Sequence, residues 1–167
     1  ILLFVGYLIL GKRLKELMRR ISSPMTIAFN TASSEAVFPK LVEEMERFGC
    51  NNKIVSFTLP LGYSFNLDGS MMYMTFASMF IAQAYNITSV TEHLGTQVAM
   101  LLVFMLTSKG IAGVPRASLV VVLATGGMFN IPPEGIGLVL AIDTFCDMGR
   151  SMTNVLGNAL ATAAVSK

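Results

Sequence analysis

Apolar positions run through the chain in long stretches, and the polar interruptions divide it into elements. Residues 1–10 are almost wholly apolar but shorter than the roughly 20 helical residues that cross a bilayer, so they read as the end of a longer helix. A basic stretch follows, in which Lys12, Arg13, Lys15, Arg19 and Arg20 face the single Glu16. A short Lys/Arg-rich loop beside a spanning segment stays on the cytoplasmic side, and a lipid-surface or calmodulin-type helix is the rarer meaning of such a run. Residues 24–49 give two short arms around the tip Asn30-Thr31-Ala32-Ser33-Ser34-Glu35, and neither arm can span alone. Residues 54–85 are long enough to cross, yet Asn66-Leu67-Asp68-Gly69-Ser70 interrupts them, which predicts a broken helix. After the polar loop 86–93, apolar residues lead to a second tip, Thr107-Ser108-Lys109-Gly110-Ile111-Ala112-Gly113-Val114-Pro115, again with short arms. Residues 134–167 predict a last helix with polar groups set in an apolar context.

This layout occurs twice. Ser33 lies 33 residues before Asn66, and Gly113 lies 34 before Asp147. If the first tip enters from the cytoplasm and the helix after it crosses outward, the second tip enters from outside and the two halves are inverted. Irregular backbone is tolerated at membrane depth only where it is buried in protein or lines a cavity, so paired interruptions point to a transporter site. The fold class expected is an all-α membrane protein, an inverted repeat of a re-entrant helical hairpin plus a broken transmembrane helix.

Composition agrees: 53% of residues are hydrophobic and 13% charged, against about 25% charged in a soluble domain. Of the 12 basic and 10 acidic residues, 13 fall in residues 12–53 and nine in residues 54–167. The chain opens inside an apolar run, at Ile1, and so reads as a piece of a longer protein. A net charge of +2, with no basic patch interleaved with aromatics, excludes nucleic acid as a partner. Cys50 and Cys146 lie far apart without nearby Cys or His, which argues against a disulfide framework or zinc site.

The last helix carries the candidate chemistry. Asp143, Asp147, Arg150, Asn154 and Asn158 are spaced 4, 3, 4 and 4, which at about 100° per residue confines them to an arc of about 80°. Each charge costs roughly 2.5 to 3.5 kcal/mol at the centre of a membrane helix, so the stripe needs partners or a wet cavity. A self-neutralising Asp147/Arg150 pair is the plain alternative, but it leaves the Asn continuation unexplained. The guanidinium of Arg150 suits a carboxylate and the carboxylate of Asp147 suits an ammonium, so together they match the two ends of an acidic amino acid. The interruption at 66–70 frees backbone carbonyls beside Asp68, oxygen-rich chemistry for a small hard cation, where a simple Asn/Gly turn is the alternative. Ser33 and Ser34 at one tip and the Gly-rich loop at the other offer hydroxyls and N–H groups to an anion.

Other motifs carry less. Ser108-Lys109-Gly110 lacks the order of a phosphate-binding loop, His93 reads as a surface residue, and Met71, Met72, Met74 and Met79 read as adaptable packing. Asn86-Ile87-Thr88 fits a glycosylation pattern that is common by chance. A channel would need a continuous polar pore, and an enzyme a nucleophile or acid/base pair that is not evident, so the chain does not read as either.

The segments TASSEAVFPKLVEEMERFG, LPLGYSFNLDGSMMY, TSKGIAGVPRASLVV and IDTFCDMGRSMTNVLGNALATAAVSK, in this order and spacing, resemble the dicarboxylate/amino acid:cation symporter family, the glutamate transporters, over essentially the whole chain. The bacterial proton/glutamate symporters are the nearest in pattern. The resemblance implies the C-terminal transport core of an elevator-type symporter: residues 1–20 the end of the sixth transmembrane helix and a basic loop, 24–50 hairpin one, 54–86 the broken seventh helix, 93–130 hairpin two and 131–167 the eighth helix. The N-terminal scaffold through which such proteins form homotrimers would lie outside it. It further implies that Arg150 binds the substrate side-chain carboxylate and Asp147 its amino group, with Ser33, Ser34, Ser70, Ser151, Asn154 and the backbone of Val114 and Ser118 completing the site, and Asp143 in support. Cation coupling would fall on Gly62, Ser64, Asn66, Asp68, Ser108, Asn154 and Asn158.

Three departures bear on the coupling ion. Asn158 stands where sodium-coupled members commonly have Asp, which favours protons over a bound sodium ion. Met74 replaces the proton-carrying Glu of the vertebrate transporters, leaving Asp68, Asp143 and Asp147 as candidate acids. Ala32 stands where some sodium-coupled members have a tip Arg, leaving Arg150 as the evident guanidinium. The expectation is a proton-coupled symporter of L-glutamate and L-aspartate in the bacterial inner membrane, needing no cofactor and no metal beyond a sodium ion as alternative coupling ion. A C4-dicarboxylate carrier is the other reading, in which Asp147 would have no ammonium to bind.

Overall fold

The computed structural model describes residues 1–109, 111 and 115–167, and its regular elements among these are helices. The long apolar stretches become α1 (Leu2–Leu10), α2 (Arg13–Thr31), α3 (Phe38–Arg47), α4 (Asn52–Phe65), α5 (Asp68–Ala84), α6 (Thr88–Thr91), α7 (Leu94–Thr107), α8 (Ala117–Gly126) and α9 (Ile136–Val165). Short 3-10 turns at Glu35–Val37, Gly127–Phe129 and Pro133–Gly135 complete the order.

The basic stretch at 12–20 is helical rather than a loop, and the first arm of the first hairpin begins at Arg13, eleven residues before Pro24. Proline removes one hydrogen bond from a helix interior and crowds the preceding turn. The arm nevertheless runs through it because Leu17, Ile21, Pro24 and Ala28, spaced 4, 3 and 4, are buried on one face, and α2 packs on α9. It ends where Ala32 turns left-handed (φ 49°) and donates back to the carbonyls of Ala28 and Phe29. The broken helix divides at Asn66 and Leu67, whose ψ values of 64° and 61° lie outside the helical range.

Helix α9 organises the rest. At 30 residues it is about 45 Å long. One core gathers α2, α3 and α4 around Val155, Ala159 and Ala163 of its C-terminal half. A second gathers α5, α7 and α8 and takes in Val139 of its N-terminal half. Glycines let the broken helix approach: a β-carbon on Gly69 would overlap the main-chain oxygen of Arg150, and one on Gly157 would overlap the Asp68 carboxylate. No described helix is both long enough and apolar enough to cross a membrane alone. The break leaves pieces of 14 and 17 residues, and α9, which has the length, carries the polar stripe.

Candidate functional site

The predicted stripe on α9 is a buried polar seam, with Asp143 0%, Asp147 2%, Arg150 3%, Asn154 0% and Asn158 1% exposed. Its residues are held from outside α9 as well as by one another. Arg150 Nε donates to Asp147 Oδ1 at 2.5 Å, so the internal pair does form. It does not exhaust either group, because Arg150 Nη1 reaches Ser70 Oγ at 3.2 Å and Asp147 Oδ2 accepts the Arg116 N–H at 2.8 Å.

Ser70 and Asn154 form the joint between α5 and α9. Asn154 Oδ1 accepts the N–H groups of Gly69 (2.8 Å) and Ser70 (3.3 Å), which satisfies donors that the first turn of α5 leaves without intrahelical partners. Its Nδ2 donates to Ser70 Oγ at 3.1 Å. The amide of Asn154 is therefore committed to the broken helix, and it fixes the height of Ser70 beside Arg150.

One turn further on, Asn66 Nδ2 donates to Asn158 Oδ1 at 3.2 Å, while Asn158 Nδ2 is buried without a hydrogen-bond partner. Gly62 lies directly against that Asn158 side chain. Asn66, Asp68 and Gly157 line a cavity of about 210 Å³ between α1 and α9. Ser64 is exposed and donates to the Pro60 carbonyl, and Ser108 is buried and donates to the Met105 carbonyl. Of the residues assigned to cation coupling, the structure joins Gly62, Asn66, Asp68 and Asn158 at the break, whereas both serine hydroxyls are turned back onto their own helices. Lys109 donates to the Phe65 carbonyl at the end of α4.

At the tip of hairpin one, Ser33 Oγ accepts the Ala36 N–H at 3.3 Å. The main chain of Ser34 is fixed from α4, because Tyr63 donates to its carbonyl at 2.9 Å and packs edge-on against Phe38. The hydroxyls of Ser34, Ser118 and Ser151 are buried with no hydrogen-bond partner. A buried hydroxyl left unpaired costs about 1–3 kcal/mol, so three of them on three segments are a cost that the fold carries without compensation from its own groups. Val114 and Gly113 lie outside the described residues.

Sequence reasoning missed two residues at the seam. Arg116 pairs with Asp143 through Nε at 3.2 Å from Oδ2, and Tyr73 donates its hydroxyl to Asp143 Oδ1. Arg150 is thus accompanied by a second guanidinium, 34 positions away in sequence, and only the tertiary fold brings the two to one helix face. The Ser78 hydroxyl is also buried and unpartnered, and no motif marks it. A cavity of about 520 Å³ between α5 and α9 is walled chiefly by Met72, Tyr73, Phe76, Phe80, Val139 and Ile142, and Arg150 also borders it. Such a lining suits hydrocarbon or a neighbouring helix, and Asp147 and the three unpaired serines do not face it.

The sequence matches the sodium:dicarboxylate symporter family over residues 1–167. It is similar to a proton/sodium-glutamate symport protein of Geobacillus stearothermophilus, with 48% identity over 157 residues, covering 94% of this chain and 37% of that protein. A proton/glutamate-aspartate symporter of Escherichia coli (strain K12) is 46% identical over 90% of this chain and 34% of its own length. A C4-dicarboxylate transport protein of Stenotrophomonas maltophilia (strain R551-3) is also 46% identical, over 91% of this chain and 34% of its own length. The chain thus spans little more than a third of the curated relatives it matches, and within that span family, helix break and polar seam coincide: it belongs to the sodium:dicarboxylate symporter family.

Proposed function

We propose that this chain is the transport core of a secondary symporter that carries L-glutamate and L-aspartate across the bacterial inner membrane, coupled to protons, by an elevator movement against a trimeric scaffold. The observation that carries the reading is the adjacency of Arg150 and Asp147 in a buried seam, 2.5 Å apart, next to the break between α4 and α5. Arg150 binds the side-chain carboxylate of the substrate, and its fork geometry favours a two-oxygen group such as a carboxylate over a halide. Asp147 receives the ammonium. A carboxylate offers about four lone-pair directions, so it can take an ammonium in addition to the two donors it holds. The unpaired hydroxyls of Ser34, Ser118 and Ser151, with Ser33, Ser70 and the Val114 backbone, complete the binding of the main-chain groups, and Asn154 contributes by holding Ser70 in place.

Coupling belongs to the break, where Gly62, Asn66, Asp68 and Asn158 meet, with Ser64 and Ser108 contributing main-chain oxygens. An amide at 158 supplies no negative charge to a cation, which is the basis for protons rather than sodium as the coupling ion. Asp143, tied to Tyr73 and Arg116, supports the seam.

A C4-dicarboxylate carrier is the second reading, favoured by the name of the Stenotrophomonas maltophilia relative. The residue that decides is Asp147, which a dicarboxylate without an ammonium would not engage. The test is uptake of labelled L-glutamate into vesicles carrying the full-length parent, under an imposed proton or sodium gradient, beside Asp147→Ala. Proton-driven uptake that needs no sodium and is abolished in the variant supports the reading. Sodium dependence overturns the assignment of the ion, and succinate uptake that survives in Asp147→Ala moves the substrate to C4-dicarboxylates.

A further inference from the structure

Helix α8 packs on α5, and one hydrogen bond and one ion pair, the latter leaving Asp143 Oδ2 without a hydrogen-bond partner, join its start to α9. Both come from Arg116. Its main-chain N–H donates to Asp147 Oδ2 at 2.8 Å and its Nε stands 3.2 Å from Asp143 Oδ2. One residue therefore serves both carboxylates of the seam, with main chain on one and side chain on the other. Asp143 is fully buried, whereas 62% of the Arg116 side chain is exposed, so the guanidinium reaches inward from the rim. Arg116 also adopts a left-handed conformation, φ 63° and ψ 5°, that a β-carbon disfavours and that glycine would adopt freely. Such strain persists only where the surroundings impose it.

We propose that Arg116 is a positioning residue that docks the start of α8 on α9 through the chain's own groups, letting the core close over Asp143 and Asp147 without cargo during the return half of the transport cycle. This rests on the transport reading above. Lifting α8 away from α9 strips a partner from two buried acids one helical turn apart, which is costly unless a cation replaces it. When an amino acid is bound, its ammonium supplies that positive charge at Asp147. When none is bound, Arg116 supplies it at Asp143. Loss of the guanidinium therefore burdens movement of the unloaded core far more than movement of the loaded one.

The test uses the full-length parent in proteoliposomes and compares net proton-driven glutamate uptake, which requires the unloaded return, with exchange of internal for external glutamate, which does not. For Arg116→Gln we expect net uptake to fall about tenfold or more while exchange changes less than about threefold, with partial recovery of net uptake in Arg116→Lys. Arg116→Gly keeps the N–H donor and relieves the backbone, so it separates folding from charge. The same selective loss is expected there. Equal falls in both assays, or no change in either, would overturn the proposal. A parent protein that catalyses neither exchange nor uptake of glutamate would instead overturn the transport reading on which it rests.

Discussion

Asp147 and Arg150 are three residues apart on one helix, and their chemistry could be read from that spacing alone; their surroundings could not. Asn154 is assigned by pattern to substrate and cation, yet both ends of its amide are spent on Gly69 and Ser70. The cations of the seam show the same limit. Helical periodicity places Arg150 on the stripe, but nothing local tells that Arg116 lands beside Asp143, because the link depends on how α8 docks on α5. At residue scale the sharpest prediction concerns Asn158. Its Oδ1 already accepts from Asn66, and its Nδ2 has no partner to lose. Asn158→Asp should therefore be tolerated structurally while adding a carboxylate that attracts a cation to the break. Glutamate uptake by the full-length variant should become stimulated by sodium, by about tenfold; uptake indifferent to sodium would remove Asn158 as a determinant of the ion.

At the scale of elements, the break between α4 and α5 was legible because Asn, Asp and Gly cluster inside an apolar run. The beginning of α2 was not: charge and a proline suggested a loop and a late start, whereas the buried face from Leu17 to Ala28 carries the helix through both. A tertiary face overrides local signals whenever the burial it gains exceeds the cost of a proline. The joint at Ser70 has two measurable supports. Asn154→Ala removes the side-chain acceptor from the first turn of α5, and we expect a loss of about 1–2 kcal/mol of stability, read as a lower melting temperature of the full-length protein in detergent. Gly69→Ala drives a methyl into the main chain of α9, which cannot yield as a side-chain tip can. It should cost more, about 1–3 kcal/mol or beyond, and lower glutamate affinity by displacing Ser70. A Gly69→Ala protein with unchanged melting and affinity would mean that α5 and α9 separate more easily than their approach implies.

The molecule as a whole exposes what a soluble protein hides. Phe57, Phe76, Phe80, Phe145 and Met128 are among the large apolar side chains more than half or nearly half exposed, and Phe76 and Phe80 line the 520 Å³ cavity between α5 and α9. The charge pattern foretold an apolar exterior, but not where polar and apolar surfaces would be segregated, since that follows from α9 drawing every polar side chain of its stripe inward. The stripe of α9 is thus buried within the chain, while the apolar outer surface suits hydrocarbon and other helices. In the proposed elevator mechanism the core needs a partner to move against, and the chain spans little more than a third of the matched relatives' length. We therefore expect residues 1–167 alone, in liposomes, to show no uptake of labelled glutamate above empty vesicles, even where the isolated core still binds glutamate with a saturable isotherm by calorimetry. Binding without transport would place recognition in the seam and translocation in its relation to the remainder of the protein. Uptake by the core alone would show that the helices around the seam suffice for alternating access, and would overturn the elevator reading.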